Sequence, residues 1–302
     1  MPATVPTVTD AQLLELEDQV RQGLEERSFG DLQVMGFGEL GVAIGLPADA
    51  PVAVAKRMPA LPTRREMEEW FAYLDRYEAL VAEHVAVAPT EKRTVPTDDG
   101  SRWAGFMIQP CYDRSVLVEH VLPDIEPTID HPIVVAIRDA ALSAVADGRC
   151  AIDAQFTNFV WIDETLISID CGSPFLYHPD GSPDYEIGAY ASSMPSLLRP
   201  VVVKMAERVA AQCGTPNGTL ELAALSIVRI GQERWLDAVL DTFNAKLDEP
   251  IQRADVTARF DKLHGEMQNI KRLGRLQRTW VERVRRRRYD FFITDSFTGE
   301  VL

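Results

Sequence analysis

The sequence has 302 residues, of which 46% are hydrophobic and 25% charged, and it carries a formal net charge of −15. This composition is typical of a globular protein with one large domain or two lobes, and its acidity argues against general nucleic-acid binding. No apolar run reaches the roughly 18 residues of a membrane span, and residues 1–10 lack a secretory pattern. The four cysteines have no paired spacing, as in proteins of a reducing compartment. We therefore expect a cytoplasmic protein that contacts neither nucleic acid nor a membrane.

Strand patterns dominate the first 110 residues. A capping box formed by Thr9 and Gln12 predicts a polar helix that continues to about Arg27. Short apolar runs bounded by turn residues predict strands, and these cover residues 32–46, 52–56, 93–96 and 103–109. Apolar residues at helical spacing over residues 63–84 predict the main helix of this part.

Helical patterns dominate from residue 111 onward. The predicted helices cover residues 114–122, 132–146, 185–213, 219–230, 232–247 and 253–289. One β-hairpin interrupts them, with predicted strands at residues 159–162 and 166–169 around the turn residues 163–165. The sequence therefore predicts an α+β fold: a helical extension (1–30), a strand-rich part (31–110) and a helical part (111–302).

Three side chains with oxygen atoms flank the predicted hairpin, namely Asp153, Asn158 and Asp170. The hairpin folds back on itself and would bring Asn158 and Asp170 to the same end, next to Asp153. An amide and a carboxylate oxygen can bind a hard cation, and a second carboxylate can accept a proton from a hydroxyl. The arrangement predicts metal-assisted phosphoryl transfer, which depends mostly on positioning and charge neutralisation.

A glycine motif and a strand lysine precede the hairpin. Gly36, Gly38 and Gly41 fit G-x-G-x-x-G, a pattern found both in dinucleotide sites and in kinase phosphate loops. A dinucleotide motif must open a helix, whereas residues 42–44 are apolar and predict a strand. Because Lys56 then ends the next predicted strand, the order favours a kinase-type loop.

With these motifs, the sequence resembles the protein-kinase-like superfamily, and within it the aminoglycoside phosphotransferase-like small-molecule kinases. Asp153 and Asn158 match the D-x-x-x-x-N of the catalytic loop, and Asp170 with Gly172 matches the metal-binding D-x-G. The resemblance covers residues 32–175. It implies a bilobal fold with a small antiparallel-sheet N-lobe, one main helix and a larger helical C-lobe.

The resemblance also implies roles at the catalytic end of the site. Asp153 would orient or deprotonate the acceptor hydroxyl, and Asn158 and Asp170 would bind Mg²⁺. The nucleotide triphosphate, ATP or GTP, would lie between the lobes, and the acceptor would lie above Asp153.

Other residues would bind the nucleotide itself. The glycine motif would cover its phosphates, while Lys56 would hold the α- and β-phosphates. The strand that ends in Ile108 and Gln109 would contact the base. A helix glutamate should pair with Lys56: Glu78 lies on the apolar stripe, where the lysine would offset the cost of its burial, and Glu69 is the alternative by separation but points to solvent. We take Glu78 as the partner.

Several alternatives remain open at this stage. Ala151 stands where related kinases often have a histidine that fixes the catalytic loop. The favoured function is phosphorylation of a hydroxyl on a small molecule or natural-product precursor, because no A-P-E motif follows Asp170. The alternatives are a kinase of a Ser/Thr peptide or protein, and a catalytically silent nucleotide-binding regulator. The basic run at residues 283–288 is either a solvated face or a contact for an anionic partner.

Overall fold

The computed structural model describes residues 4–26, 28–37, 41–97, 99–184 and 199–286. Within these ranges, most strand residues precede residue 111 and most helical residues follow it. The predicted α+β fold class, with a small antiparallel sheet followed by a helical part, is therefore confirmed. None of the described helices combines the length and the apolar character that a membrane crossing requires.

Five strands of the first part form one antiparallel sheet in the order β1-β2-β3-β6-β5. The strands of this part, including a short β4 outside that sheet, are β1 (Val34–Phe37), β2 (Val42–Leu46), β3 (Ala53–Leu61), β4 (Ala86–Val87), β5 (Glu91–Pro96) and β6 (Trp103–Pro110). β3 continues to Leu61, beyond its predicted end at Lys56, because it pairs with β6 along this length. Lys56 consequently lies in the middle of a strand, opposite Met107.

Helix α1 (Asp10–Glu26) covers one face of this sheet. It begins as predicted: Thr9 N–H donates to Gln12 Oε1 at 2.9 Å, and Gln12 N–H donates to Thr9 Oγ1 at 3.3 Å. The buried cluster between helix and sheet includes Leu13, Leu16, Val20, Leu24, Ile44, Ala53, Ala55, Phe106 and Ile108. Because successive strand residues point to opposite faces of a sheet, Lys56 faces away from α1.

Helix α2 (Arg64–Val81) packs on the other face of the sheet and also contacts the second part of the chain. Thr63 caps its first turn with a side-chain hydrogen bond. Its buried residues recur at helical spacing, and they include Met67, Trp70, Phe71, Leu74, Tyr77 and Val81. Tyr73 donates a hydrogen bond to the Asp184 carbonyl, and Arg76 binds the Asp184 carboxylate at 2.8 Å.

The second part contains the short strands β7 (Cys150–Ala151), β8 (Phe159–Ile162), β9 (Thr165–Ser168) and β10 (Phe175–Leu176). β8 and β9 form the predicted hairpin, and its turn residues Asp163 and Glu164 have φ angles of 48° and 59°. Two consecutive positive φ angles are the geometry of a type I′ turn. β9 also pairs in parallel with β4, and β7 pairs with β10. These two pairings were not predicted, because β4, β7 and β10 have only two residues each.

The larger elements of the second part are helices. They are α3 (Val118–Val121), α4 (Pro132–Asp147), α5 (Arg199–Cys213), α6 (Pro216–Arg229), α7 (Leu236–Asn244) and α8 (Arg253–Arg283). The helix predicted over residues 114–122 is instead a 3₁₀ turn, capped by Asp113, followed by the single turn of α3. Residues 185–198 and 287–289, which complete two of the predicted helices, lie outside the described residues.

One ion pair is buried between α1 and the sheet. The Nε and Nη2 atoms of Arg57 donate to the two carboxylate oxygens of Glu17 at 3.0 and 2.9 Å. The side chains are 5% and 0% exposed. This two-bond geometry holds α1 in register with β3, and loss of one partner would leave a charge buried without its counter-ion.

We predict that Glu17→Gln lowers the free energy of unfolding by about 3–5 kcal/mol, because the Arg57 charge stays buried while its counter-charge is removed. Urea unfolding followed by circular dichroism measures the change. The control is Glu68→Gln, which removes the exposed partner of Arg64 and should cost no more than about 0.5 kcal/mol. Equal losses in the two variants would contradict the role given to the buried pair.

Candidate active site

The β8–β9 hairpin brings three of the predicted site residues together. Ile169 N–H donates to the Asn158 carbonyl at 2.8 Å, and Asp170 follows directly at the open end of the hairpin. Asn158 Nδ2 in turn donates to the Asp153 carbonyl at 3.2 Å. Asp153, Asn158 and Asp170 therefore meet at one end of the hairpin.

The Asp170 carboxylate is oriented by a local turn. Its Oδ1 accepts a hydrogen bond from Gly172 N–H at 2.9 Å. A Cβ atom on residue 172 would lie 3.1 Å from the same oxygen, so a side chain there would crowd the turn. The turn leaves Oδ2 directed toward Lys56, whose Nζ is 3.6 Å away.

Lys56 connects the sheet to the hairpin. Its Nζ donates to the Ile169 carbonyl at 2.6 Å and forms the ion pair with Asp170 described above. The lysine side chain is 19% exposed, so this pair is less screened by solvent than a surface pair. A row of contacts thus runs from Lys56 through the backbone of Ile169, next to Asp170, and through Asn158 to Asp153.

The glycine motif lies between two antiparallel strands. Gly36 belongs to β1 and pairs with Ala43 of β2, while Gly38 lies outside the described residues. A Cβ atom at Gly41 would lie 2.7 Å from the Arg57 carbonyl oxygen, so the close approach of β3 requires glycine there. Since a strand and not a helix follows the motif, the dinucleotide fingerprint does not fit.

The structure corrects the expectation for Ile108. Its side chain is fully buried against α1, on the face of the sheet opposite Lys56. It also pairs with both Ala55 and Glu91, so strands flank it on either side. Ile108 is therefore in the wrong place to contact a base with its side chain.

Gln109 lies on the same face of the sheet as Lys56. It pairs with Val54, two residues before the lysine, and its Nε2 donates to Thr90 Oγ1 at 2.9 Å. β6 extends to Pro110, one residue past the predicted end. The backbone that emerges from the sheet at this edge therefore begins at Pro110.

The predicted ion pair between Glu78 and Lys56 is also corrected. Glu78 Oε2 binds Lys92 Nζ at 2.5 Å, and Lys92 also binds Asp75 at 2.8 Å. The register of the sheet explains why Lys92 takes the place of Lys56. Both lysines lie opposite Met107, one on each neighbouring strand, so both side chains are on the same face of the sheet. The two lysines therefore stand in one row on the face toward α2, about 10 Å apart at their Cα atoms.

Burial dominates the electrostatics of Glu78. It raises the pKa of the carboxyl above 4.5, and the hydrogen bond from Lys92 opposes that rise. Lys56 is close enough to lower the pKa slightly as well. The second oxygen, Oε1, is buried and has no hydrogen-bond partner among the described residues.

Tyr77 supports the loop that carries Asp153. Its hydroxyl donates to the Ala151 carbonyl at 2.9 Å, two residues before the aspartate. Burial raises the pKa of the Tyr77 phenol well above its usual value, so the hydroxyl remains a donor. A tyrosine on α2 thus fixes the loop at Ala151, and sequence reasoning did not identify it.

Gln155 contacts the Asp153 side chain directly. Its Nε2 lies 3.0 and 3.1 Å from the two carboxylate oxygens of Asp153. Its Oε1 accepts a hydrogen bond from Arg229 Nη1 at 3.1 Å. Neither residue was predicted, because a glutamine two positions after an aspartate is no signal without the fold that brings α6 beside it.

The ligands available for a cation are one carboxylate and one amide oxygen. Among the described residues, no group of three or more His, Cys, Asp and Glu side chains is placed to hold a metal ion. Asp170 and Asn158 nevertheless suit Mg²⁺, which is commonly bound by one or two carboxylates together with substrate phosphates and water. The neighbouring Cys171 thiol does not compete as a thiolate, because burial raises its pKa to about 12.

Comparison with known proteins gives similarity in structure alone. No protein-family model and no curated protein matches the sequence. The chain is similar to the aminoglycoside phosphotransferase APH(2″)-IIIa, solved as a GDP and kanamycin complex, at 10% identity and a TM-score of 0.33, covering 77% of this chain and 98% of that one. It is also similar to the Mycobacterium tuberculosis PknI kinase domain, at 15% identity and a TM-score of 0.28, covering 65% of this chain and 74% of that one.

The order of elements agrees with the resemblance inferred from the motifs. Glycine-bearing strands are followed by the lysine strand β3, the helix α2, the strand β6 and the β8–β9 hairpin. The described elements therefore follow the order that the motifs predicted.

We predict that Lys92→Met makes the stability of the protein more sensitive to pH. The folded protein already favours protonated Glu78, so the free energy of unfolding falls as the pH rises from 4.5 to the raised pKa of the folded state. Without Lys92 the pKa of Glu78 in the folded state rises further. The loss of unfolding free energy over this pH range should then increase by about 1.4 kcal/mol for each further unit of that pKa. Urea unfolding at a series of pH values measures it.

Two double variants identify the group responsible. Lys92→Met combined with Glu78→Gln should lose the added pH dependence, whereas Lys92→Met combined with Asp75→Asn should keep it. The second carboxylate is the matched control because it also binds Lys92 but is largely exposed. If Asp75→Asn removed the effect, the assignment to Glu78 would be wrong.

Proposed function

We propose that this protein is a kinase that uses Mg²⁺ and ATP or GTP to phosphorylate a hydroxyl group of a small molecule. The observation that carries the proposal is the row of contacts from Lys56 through Ile169 and Asn158 to Asp153, together with the ion pair between Lys56 and Asp170. It combines a cation for phosphates, oxygen ligands for a metal and a carboxylate for a hydroxyl. These are the parts that phosphoryl transfer requires.

The nucleotide would lie between an N-lobe of residues 31–110 and a C-lobe of residues 111–302, with residues 1–30 as an extension on the N-lobe. The sheet supports this placement because the side chains of Ala43 and Val54 are partly exposed on the same face as Lys56. The backbone that leaves β6 at Pro110 would contact the base in place of Ile108. Gly36, Gly38 and Gly41 would cover the phosphates, and Gln109 would border the base.

Asn158 and Asp170 would hold Mg²⁺, which when bound neutralises phosphate charge. The Gly172 hydrogen bond fixes the Asp170 carboxylate in advance, so little reorganisation is needed when the nucleotide binds. Lys56 already neutralises part of the Asp170 charge, and its ammonium can turn to the α- and β-phosphates without leaving the site.

Asp153 would act on the acceptor. Its carboxylate accepts the hydroxyl proton while the hydroxyl oxygen bonds to the γ-phosphorus and the bond from that phosphorus to the β-phosphate oxygen breaks. The products are the phosphorylated acceptor and the nucleoside diphosphate. Tyr77 supports this role by fixing the backbone two residues earlier, at Ala151.

A small-molecule acceptor is favoured over a peptide by the sequence after the metal motif. Protein kinases have a regulatory segment between their D-F-G and A-P-E motifs. No A-P-E motif follows Asp170 in this sequence.

A second candidate function is nucleotide binding without transfer. The observation that favours it is the pairing of Glu78 with Lys92, since active protein kinases require the ion pair between the strand lysine and the helix glutamate. The two candidates differ in turnover. A Mg²⁺-dependent rise in melting temperature with nucleotide, but without phosphoryl transfer to any acceptor or to water, would support the second.

We predict that Mg²⁺ with ATP or GTP raises the melting temperature by roughly 2–4 °C for each kcal/mol of binding free energy. Asp170→Ala should lose the Mg²⁺-dependent part of this rise. Asp153→Asn should keep it and lose phosphoryl transfer by about 100-fold or more, because it removes the proton acceptor. Transfer is measured with radiolabelled nucleotide against amino sugars, nucleosides, amino alcohols and a Ser/Thr peptide.

The matched control is Asp49→Asn, which makes the same change of charge at an exposed position in the turn between β2 and β3. It should match the unaltered protein in both assays. Phosphoryl transfer at normal rates in both single variants, Asp153→Asn and Asp170→Ala, would contradict the proposal. Transfer to the peptide alone would overturn the choice of a small-molecule acceptor.

A further inference from the structure

The amide of Gln155 is held between a carboxylate and an arginine. Nε2 faces both oxygens of Asp153, at 3.0 and 3.1 Å, and Oε1 faces Arg229 Nη1 at 3.1 Å. Because a guanidinium only donates and an ionised carboxylate only accepts, the orientation of the amide between them is determined. Asp153 and Arg229 therefore favour the same orientation of the Gln155 amide, and Arg229 holds the end that faces away from Asp153.

Helix α6 holds this arrangement at two points, one turn apart. Ser226 Oγ accepts a hydrogen bond from Phe156 N–H at 3.0 Å and donates to the Ala223 carbonyl at 2.7 Å. Arg229 lies three residues further along the same side of the helix, so it contacts the neighbouring residue, Gln155. The helix thus positions both the backbone and the side chain of the loop that follows Asp153.

Two neutral groups also lie near Asp153. Burial raises the pKa of the Tyr77 phenol and of the Cys213 thiol, so both remain neutral beside the carboxylate. The Gln155 amide is likewise uncharged, and it donates to both oxygens of Asp153.

We infer that Gln155 and Arg229 form a positioning pair that fixes the Asp153 carboxylate for the acceptor hydroxyl, with Arg229 acting only through Gln155. This inference rests on the proposed kinase function and deepens it. Among the hydrogen bonds of the described residues, the pair contacts neither of the proposed metal ligands, Asn158 and Asp170. It should therefore influence the transfer step and leave nucleotide binding unchanged.

Steady-state kinetics test the pair through a double-mutant cycle. Gln155→Leu and Arg229→Met should each lower kcat roughly 10- to 100-fold, as expected when a catalytic group is misplaced, with the KM for nucleotide unchanged. The double variant should be no worse than Gln155→Leu alone, because Arg229 acts through the glutamine. Arg229→Lys, which still donates to Oε1, should recover most of the loss, and Arg253→Gln serves as an exposed arginine control.

A second measurement needs no activity. In ¹⁵N-labelled protein, the side-chain NH₂ resonance of Gln155, assigned from its absence in Gln155→Leu, should be displaced from the values of exposed glutamines. Arg229→Met and Asp153→Asn should each return it toward those values, whereas Arg253→Gln should not.

The outcomes separate the two proposals. Absence of turnover in the unaltered protein overturns the kinase function, and the Gln155 resonance then decides alone whether the pair exists. If the protein turns over, three results overturn the positioning pair. They are additive losses of kcat in the double variant, a changed KM for nucleotide at normal kcat, and no recovery of kcat in Arg229→Lys. A Gln155 resonance at exposed values overturns it as well.

Discussion

The ammonium group of Lys56 is the point at which the sheet and the hairpin meet. It contacts a backbone carbonyl and a carboxylate on a segment 113 residues away in the sequence. Two carboxylates, Asp153 and Asp170, lie at the same end of the hairpin, and a cation beside them reduces their mutual repulsion. The position of this charge depends in turn on β3, which is held on both sides by neighbouring strands.

Two lysines and one glutamate share the space under α2. Lys56 and Lys92 flank Met107 in one row, and Glu78 reaches the second lysine while its Oε1 has no hydrogen-bond partner among the described residues. A buried carboxylate oxygen without a hydrogen bond is costly, so the contact with Lys92 offsets only part of the cost of burying Glu78.

The sequence was informative wherever a structure is determined locally. The capping box at Thr9 and the hairpin turn at residues 163–164 each depend on neighbours within a few residues, and both lie within the stretches where they were predicted. The spacing of Asp153 and Asn158 belongs to the same class, since the hairpin begins directly after them.

The remainder depends on contacts between distant segments. Lys92 became the partner of Glu78 because the register of β5 on β6 places it opposite Met107, and only the paired sheet shows this. Ile108 was misplaced because its apolar strand pattern does not indicate which face α1 covers. Arg229 and Tyr77 come from helices whose packing on the catalytic loop has no signature in the sequence.

The last helix returns to the first. Arg278 of α8 donates to the Leu24 carbonyl of α1 at 2.6 Å, and α1 is bound to the sheet through Glu17 and Arg57. The sheet is thus attached to the helical part through α1 and α8, in addition to the contacts of Lys56 and α2. Any movement that separates α1 from α8 would first have to break the hydrogen bond from Arg278.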